Sequence, residues 1–303
     1  MSNRLSEVQA RISTVHELES VVSAMRGIAA ARSREARSRL DGIRACAGVI
    51  GAAIGDALML DERNSAPSRS PSGSTNADGD GHGTHVVIVL CAEQGFVGTF
   101  NEHVIEAAAR LRHPQRNDYF VIGDRGVVVA QEHGLTVGWS APMVAHVDEV
   151  PALADRITGA LYERLDGGRA TRVTLLHAVP QIATAIEIVQ NALLPFDFER
   201  FAVPKRQLAP LVTLPPARLL ARLAEEYVFT QLCEAIMLSF AAENEARMRA
   251  MIAARTNVHD TLDQLIGDSR RLRQEEITAE IVELSAGSLA ASTGSVKQKR
   301  PPK

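Results

Sequence analysis

The stretch after Pro216 holds no proline until Pro301, and its apolar residues recur at alternating three- and four-residue steps. Met248, Met251, Val258, Leu262, Leu265 and Leu272 fall on one seam, with Arg255, Ser269 and Glu276 at intervening seam positions. A 3.5-residue repeat makes a long helix supercoil left-handedly around a partner helix instead of lying on a globular core. The first 66 residues also lack proline, and Leu5, Val8, Ile12, Val15, Leu18, Val22 and Met25 repeat at the same steps. A second series, Leu40, Ile43, Ala47, Ile50, Ile54 and Leu58, continues the first. The expectation is a long antiparallel coiled coil of the two ends of one chain, a shaft with a domain mounted on it.

A helix over Arg4–Met59 would be roughly 80 Å long at 1.5 Å per residue. Gly27, Gly42, Gly48, Gly51 and Gly55 interrupt it. Each costs up to about 1 kcal/mol against alanine in a helix interior, yet a glycine also lets two backbones approach. The sequence leaves both readings open.

Between the helical ends the composition changes twice. Asp61–Gly83 is crowded with Ser, Pro, Gly, Asn and Asp, the signature of a flexible linker. Beyond it, strands are expected at His85–Cys91, Tyr119–Gly123, Leu135–Trp139, Arg172–Val179 and Ala183–Leu193. Helices are expected at Asn101–Arg112, with Ala107, Ala108 and Leu111 inward, at Val127–His133 and at Ala152–Leu165. This alternation specifies a small Rossmann-like α/β domain with a largely parallel sheet. The division is then helix 1–60, linker 61–84, α/β domain 85–215, helix 216–290 and a basic tail 291–303.

Composition removes several function classes. A net charge of -3 gives no reason to propose a nucleic-acid partner, although eight arginines among the first 50 residues make that end locally basic. Cys46, Cys91 and Cys233 are an odd set without CxxC spacing, so free thiols in a reducing compartment are expected and a zinc site is not. The start carries no apolar run of the secretory kind, and Val86–Ala92, the longest apolar stretch in the middle, is far short of the ~20 residues a membrane span needs. No direct membrane span is expected; the chain would be soluble or peripheral through another protein.

Three local patterns imitate chemistry. Gly81-His82-Gly83-Thr84-His85-Val86 resembles the catalytic-histidine motif of subtilisin-like proteases, but no nucleophile segment or orienting acid accompanies it. His82 and His85 have a metal-ligand spacing without the further donors that zinc requires. Gly95-Phe96-Val97-Gly98 sits at a strand-to-helix turn, where α/β proteins cradle phosphates, yet neither the dinucleotide nor the P-loop pattern occurs. The domain is read as a scaffold, with no catalytic residues, cofactor or metal.

The carboxy-terminal helix is the more informative segment. Arg247, Arg255, Arg270, Arg271, Arg273, Gln274, Glu275, Glu276, Thr278 and Glu280 crowd a helix that keeps its apolar seam. For any one of them a solvated face suffices. Their density suits a helix reaching into a socket of other subunits, where polar contacts are exchanged cheaply at a wet interface.

These residues resemble the gamma subunit of F-type ATP synthases, the central rotor stalk. Ile277-Thr278-Ala279-Glu280-Ile281-Val282-Glu283-Leu284-Ser285-Ala286-Gly287-Ser288 is similar to the family's carboxy-terminal signature, with Ser288 where the pattern prefers alanine. Glu243–Ala254 and Arg273-Gln274 match the family's long helix, and Ala24-Met25, Ile28-Ala29-Ala30 and Arg32 resemble its amino-terminal helix. Gln190-Asn191-Ala192-Leu193-Leu194-Pro195 is similar to the segment leaving its last strand. The turn Ala92–Asn101 departs, with Gln94, Val97 and Thr99 in place of the usual arginine, cysteine and glycine. With the unusual linker and tail, this marks a divergent bacterial branch, for which the alternative sodium-type ATPases are one expectation.

The resemblance implies a non-catalytic rotor subunit at the cytoplasmic face of a bacterial inner membrane. Its paired helices would lie inside a hexamer of alpha and beta subunits, and its α/β domain would bind the epsilon subunit and the membrane c-ring. Turning an asymmetric coil would present a different face to each beta subunit, which is coupling through differential contacts. Met25, Arg247, Arg273, Gln274, Thr278 and Glu280 would make the subunit contacts. Read without the resemblance, the same shaft also fits a coiled-coil adaptor or tether.

Overall fold

The computed structural model describes residues 2–64, 84–111, 117–166, 170–181, 186–204 and 210–295. Two long helices carry the heptads, α1 over Ser2–Asn64 and α5 over Pro216–Ser295. The chain forms two compact units, Met1–Arg26 with Met251–Lys303 and Gly27–Ala250, and both divisions fall inside these helices. The first turn of the expected linker is helical, since α1 continues to Asn64; positions 65–83 of that linker, His82 among them, lie outside the described residues, as does the tail from 296.

In the Gly27–Ala250 unit the order after α1 is β1 (Thr84–Leu90), α2 (Phe100–Arg110), β2 (Asn117–Ile122), α3 (Asp124–Glu132), β3 (Val137–Ala141), α4 (Val150–Asp166), β4 (Ala170–Val179) and β5 (Glu187–Leu194). The sheet runs β3-β2-β1-β4-β5; the first four strands are mutually parallel, and β5 closes the edge antiparallel to β4. A parallel strand covered on both faces must be apolar throughout, and Val86–Leu90 are all fully buried. On one face Val86, Ile88 and Leu90 pack with Ala36 and Leu40 of α1, Ile157 of α4 and Ile236 of α5. On the other, Val87 and Val89 meet α2 and α3.

The inward side of α2 is Phe100, Val104, Ile105 and Ala108. Of the three positions expected there, Ala108 is buried and Ala107 and Leu111 are only half-buried. Steps of four from Phe100 through Val104 to Ala108 define the stripe, and Ala107 and Leu111 lie on its border.

The seam of α1 also needs one correction. In the Met1–Arg26 and Met251–Lys303 unit, Leu5, Val8, Ile12, Val15 and Val22 are turned in, but Leu18 is 49% exposed. Glu19 takes the inward place, and its carboxylate lies 3.8 Å from Arg255 of α5. The steps from Val15 to Glu19 to Val22 keep the strict seven-residue repeat, so the polar pair of Glu19 and Arg255 sits at the seam where leucine was expected. On α5 Met251, Val258 and Leu262 of the expected seam are buried and Leu265, Ser269, Leu272 and Glu276 are half-buried, while Arg255 is exposed and reaches Glu19 from the seam's edge.

Within the other unit the helices run antiparallel. Arg37 of α1 pairs with Glu245 of α5, and seven residues on Arg44 donates to Glu234 at 2.8 Å. Here α5 is more than one strand of a coil, because every residue from Ala235 to Arg247 is buried. That stretch is enclosed by the sheet on one side and α1 on the other, which is why its heptad is invisible before Met248.

The glycines of α1 differ in their surroundings, with Gly51 intermediate, where a Cβ would stand 3.3 Å from the Phe201 ring. Cβ atoms at Gly27, Gly42 and Gly48 would meet nothing within 4 Å, whereas one at Gly55 would stand 2.3 Å from the carbonyl oxygen of Ala202. Close approach therefore explains Gly55, next to a cluster of Ile54, Ala57 and Leu220 flanked by Phe196, Phe201 and Tyr227. One window of α1 is also long and apolar enough to cross a membrane by composition alone. Only 28% of that window is buried within the chain, and Ile54 and Ala57 of α1 belong to one of its buried clusters.

Candidate functional site

Beyond Leu272 the α5 helix has more apolar surface than its own unit covers. Ile277, Ile281, Val282 and Leu284 are 51%, 58%, 63% and 74% exposed. Among them stand four of the residues singled out from sequence, Arg273, Gln274, Thr278 and Glu280, all exposed. The Thr278 hydroxyl donates back to the Gln274 carbonyl at 2.8 Å, so its side chain lies along the helix. Gln274 and Thr278 line an open groove of about 690 Å³ with Arg271, Glu275, Ala279 and Val282. Met25 belongs to the same unit and is half-buried. Apolar side chains left open next to exchangeable polar groups form a surface that gains from being covered.

Arg247 is placed quite differently. It is 6% exposed and held by its own chain. Its Nη2 donates to Glu243 Oε1 at 2.6 Å and to the Gln94 carbonyl at 3.3 Å, its Nε donates to the Gly95 carbonyl at 3.3 Å, and its Nη1 donates to Asn244 Oδ1 at 3.4 Å. Burial pushes the Glu243 carboxyl up, and the Arg247 guanidinium opposes that rise. A buried pair of this kind is tolerable only because the carbonyls of the 94–95 turn satisfy the remaining donors.

That turn is itself pinned. Glu93 accepts from the backbone N–H of Met143 at 2.8 Å and of Asp124 at 3.2 Å, and Asn101 accepts from Ala92 N–H at 2.9 Å. Phe96 and Gly98 both adopt φ of 60°, and Phe96 projects 68% exposed. Only Gly98 of the two glycines in the turn needs the left-handed region, so the backbone-geometry reading of this motif applies to it alone.

The β1/β4 boundary is where the strand order reverses, and in open α/β sheets ligands bind outside the carboxyl ends of the strands there. In this chain α5 fills that place. Ser239 accepts from the Ala178 N–H at 3.1 Å and donates to the Leu90 carbonyl at 3.5 Å, so it bridges the ends of β4 and β1. Ala242 and Ala246 share a buried cluster with Val89 and Ala92, and Arg247 donates to the Gly95 carbonyl in the turn after β1. The nucleotide position of the fold is thus taken up by the chain's own helix. Among the described residues no group of three or more His, Cys, Asp or Glu side chains is arranged to hold a metal ion. His85 of the protease-like motif is buried in the sheet face with Nε2 2.8 Å from Thr174 Oγ1.

Sequence reasoning missed Ser239, Glu243 and Asn244. The available signal was the four-residue spacing of Glu243 and Arg247 directly after the mainly apolar run 235–242, where an unpaired charge would be costly. Glu245 was also missed; it accepts from Ser33 at 3.4 Å and pairs with Arg37. Burial pushes the Cys233 thiol up to about 11 and Cys91 higher still, which disfavours the nucleophilic thiolate at both.

A family model described as ATP synthase matches residues 4–291. The ATP synthase gamma chain of Ruegeria pomeroyi is 29% identical over 310 residues, covering 94% of this chain and 99% of the relative. That of Cereibacter sphaeroides is 28% identical with the same coverage of each. Among solved structures, a chain of the Euglena gracilis mitochondrial ATP synthase (OSCP/F1/c-ring, rotational state 3) superposes with a TM-score of 0.63 at 12% identity, over 100% of this chain and 99% of that one.

Proposed function

Since the chain belongs to the ATP synthase gamma-chain family, we propose that the exposed end of α5 is the part of a rotor shaft that enters a ring of alpha and beta subunits. The chain is a non-catalytic subunit of the membrane-associated synthase, peripheral to the bilayer, and couples ion flow to ATP synthesis or hydrolysis at sites on other subunits. The observation that carries the contact reading is the uncovered apolar surface of Ile277, Ile281, Val282 and Leu284. Such a helix end is stable in water only at a cost of about 25 cal/mol per Å² left wet.

In this reading Met25, Arg273, Gln274, Thr278 and Glu280 touch the surrounding subunits. Arg247 acts indirectly, by fixing the 93–98 turn from which Phe96 projects. The shaft is residues 1–60 and 216–290, the 85–215 domain is the seat for the epsilon subunit and the c-ring, and 61–84 and 291–303 are a linker and a tail. The complex stands at the cytoplasmic face of a bacterial inner membrane.

The test is reconstitution of the full-length chain with purified alpha and beta subunits. One copy per three alpha-beta pairs, with raised ATPase activity, is expected. Arg273→Ala combined with Gln274→Ala should weaken assembly or ATP-driven pumping while the fluorescence of Trp139, in β3, is unchanged. Normal pumping by that double variant would refute the contact assignment, and a stable homodimer that ignores alpha and beta would refute the shaft reading.

A further inference from the structure

The face of the sheet under α2 changes character along the strands. Near the carboxyl ends it is apolar, with Val87 and Val89 of β1 and Leu176 and Ala178 of β4 all buried. Toward the other end of the same face, beyond the last turn of α2, polar residues enter: His85 on β1 is in register with Arg172 on β4, Thr174 follows two residues on between Val87 and Ala192, and Gln190 on β5 stands opposite Leu176. Together with Arg110 from the end of α2 they line a concave basin of about 510 Å³. Its floor is the buried pair of His85 and Thr174, whose side chains meet at 2.8 Å.

Two charges in this basin are poorly neutralised. Among the described residues Arg172 has no hydrogen-bond or ion-pair partner, and no carboxylate lines the basin. Arg110 reaches only Glu106 on its own helix, at 3.9 Å with both side chains largely in water, a pair worth little and easily exchanged. A hydroxyl and a histidine at the foot of an otherwise apolar sheet face cost desolvation that valine or leucine would avoid. Two exposed arginines lining a basin whose floor carries a hydroxyl, beside a carboxamide, offer the donor set that recognises phosphate oxygens, and the volume lies within the range of small-molecule sites.

We propose that this basin, formed by Arg110, Arg172, Gln190 and the His85–Thr174 floor, binds a compact phosphate-bearing dianion or trianion from solution. The site is remote in sequence from the α5 contact residues and does not depend on the shaft reading. The phosphoryl oxygens lie between the two arginines, and the Thr174 hydroxyl and Gln190 amide fix their orientation.

The experiment is calorimetric titration of the full-length chain with inorganic pyrophosphate, at ionic strength held constant with sodium chloride. Saturable one-site binding with a Kd below about 1 mM is expected. Arg172→Gln should weaken it at least tenfold and Thr174→Val severalfold, while Arg273→Gln should leave it unchanged. If Arg172→Gln fails to fold by Trp139 fluorescence, Arg110→Gln serves in its place with the same expectation. Absence of saturable heat up to about 10 mM, or equal affinity in the arginine variant, overturns the proposal. So does binding to phosphatidylglycerol vesicles without binding to pyrophosphate, which would make the basin a lipid-headgroup contact.

Discussion

His177 should make the Gly27–Ala250 unit sensitive to mild acid. It lies on β4 with 3% of its surface exposed, and its Nδ1 is buried without a hydrogen-bond partner among the described residues. Burial lowers its pKa from 6.5 to about 4, with Glu234 of α5 opposing the shift. Glu234 is itself engaged by Arg44, so its charge is shared and does not rescue the imidazolium. Between pH 6.5 and 4 the unfolded chain therefore binds a proton that the folded chain refuses, and stability falls as pH falls through that window. With those two values the penalty is negligible at pH 7.5 and about 2 kcal/mol at pH 5. The readout is urea unfolding followed by Trp139, the single tryptophan, which packs 5.2 Å from Phe120 inside the same unit. An m-value of about 2 kcal/mol/M turns the penalty into a midpoint about 1 M lower at pH 5. Carboxylates titrate over the same range, so the decisive quantity is the difference between wild type and His177→Gln. The variant should lose about 2 kcal/mol less than wild type between pH 7.5 and 5. Equal losses in the two proteins would show that His177 is protonated without strain and that the burial argument is wrong.

Two further outcomes follow from the packing of the long helices. Gly55→Ala drives a methyl into the Ala202 carbonyl and should destabilise by about 1–3 kcal/mol, whereas Gly42→Ala, which meets nothing, should stabilise by about 0.5–1 kcal/mol; urea midpoints that move the same way would refute the close-approach reading. Arg247→Met strands the Glu243 carboxylate and should cost about 3–5 kcal/mol, while adding Glu243→Gln should recover much of that loss. A fully additive double-mutant cycle would mean the pair is not coupled.

The architecture of the α/β domain was legible because its elements differ sharply in pattern. Val86–Leu90 reads as a strand covered on both faces and Asn101–Arg112 as a helix lying on one, although its inward stripe was expected at Ala107, Ala108 and Leu111 and runs through Phe100, Val104 and Ala108. The direction of β5 was less so, because an antiparallel edge strand and a parallel one share the same alternation. Contact candidates at Arg273, Gln274, Thr278 and Glu280 were visible as polar residues crowding an apolar seam, and they are exposed as that pattern requires.

The sequence by itself determined the heptads, since a seven-residue repeat is a property of one helix and needs no partner to be read. Tertiary structure decided everything that depends on what lies across from a residue. It showed Glu19 at the seam in place of Leu18, where the steps from Val15 to Val22 continue the repeat and the carboxylate faces Arg255. It made Gly55 a packing requirement and left Gly42 free, through a carbonyl that comes from almost 150 positions further along the chain. It also turned Arg247 inward, because four acceptors converge there from α5 and the 94–95 turn, and no local pattern records the meeting of segments so far apart in sequence.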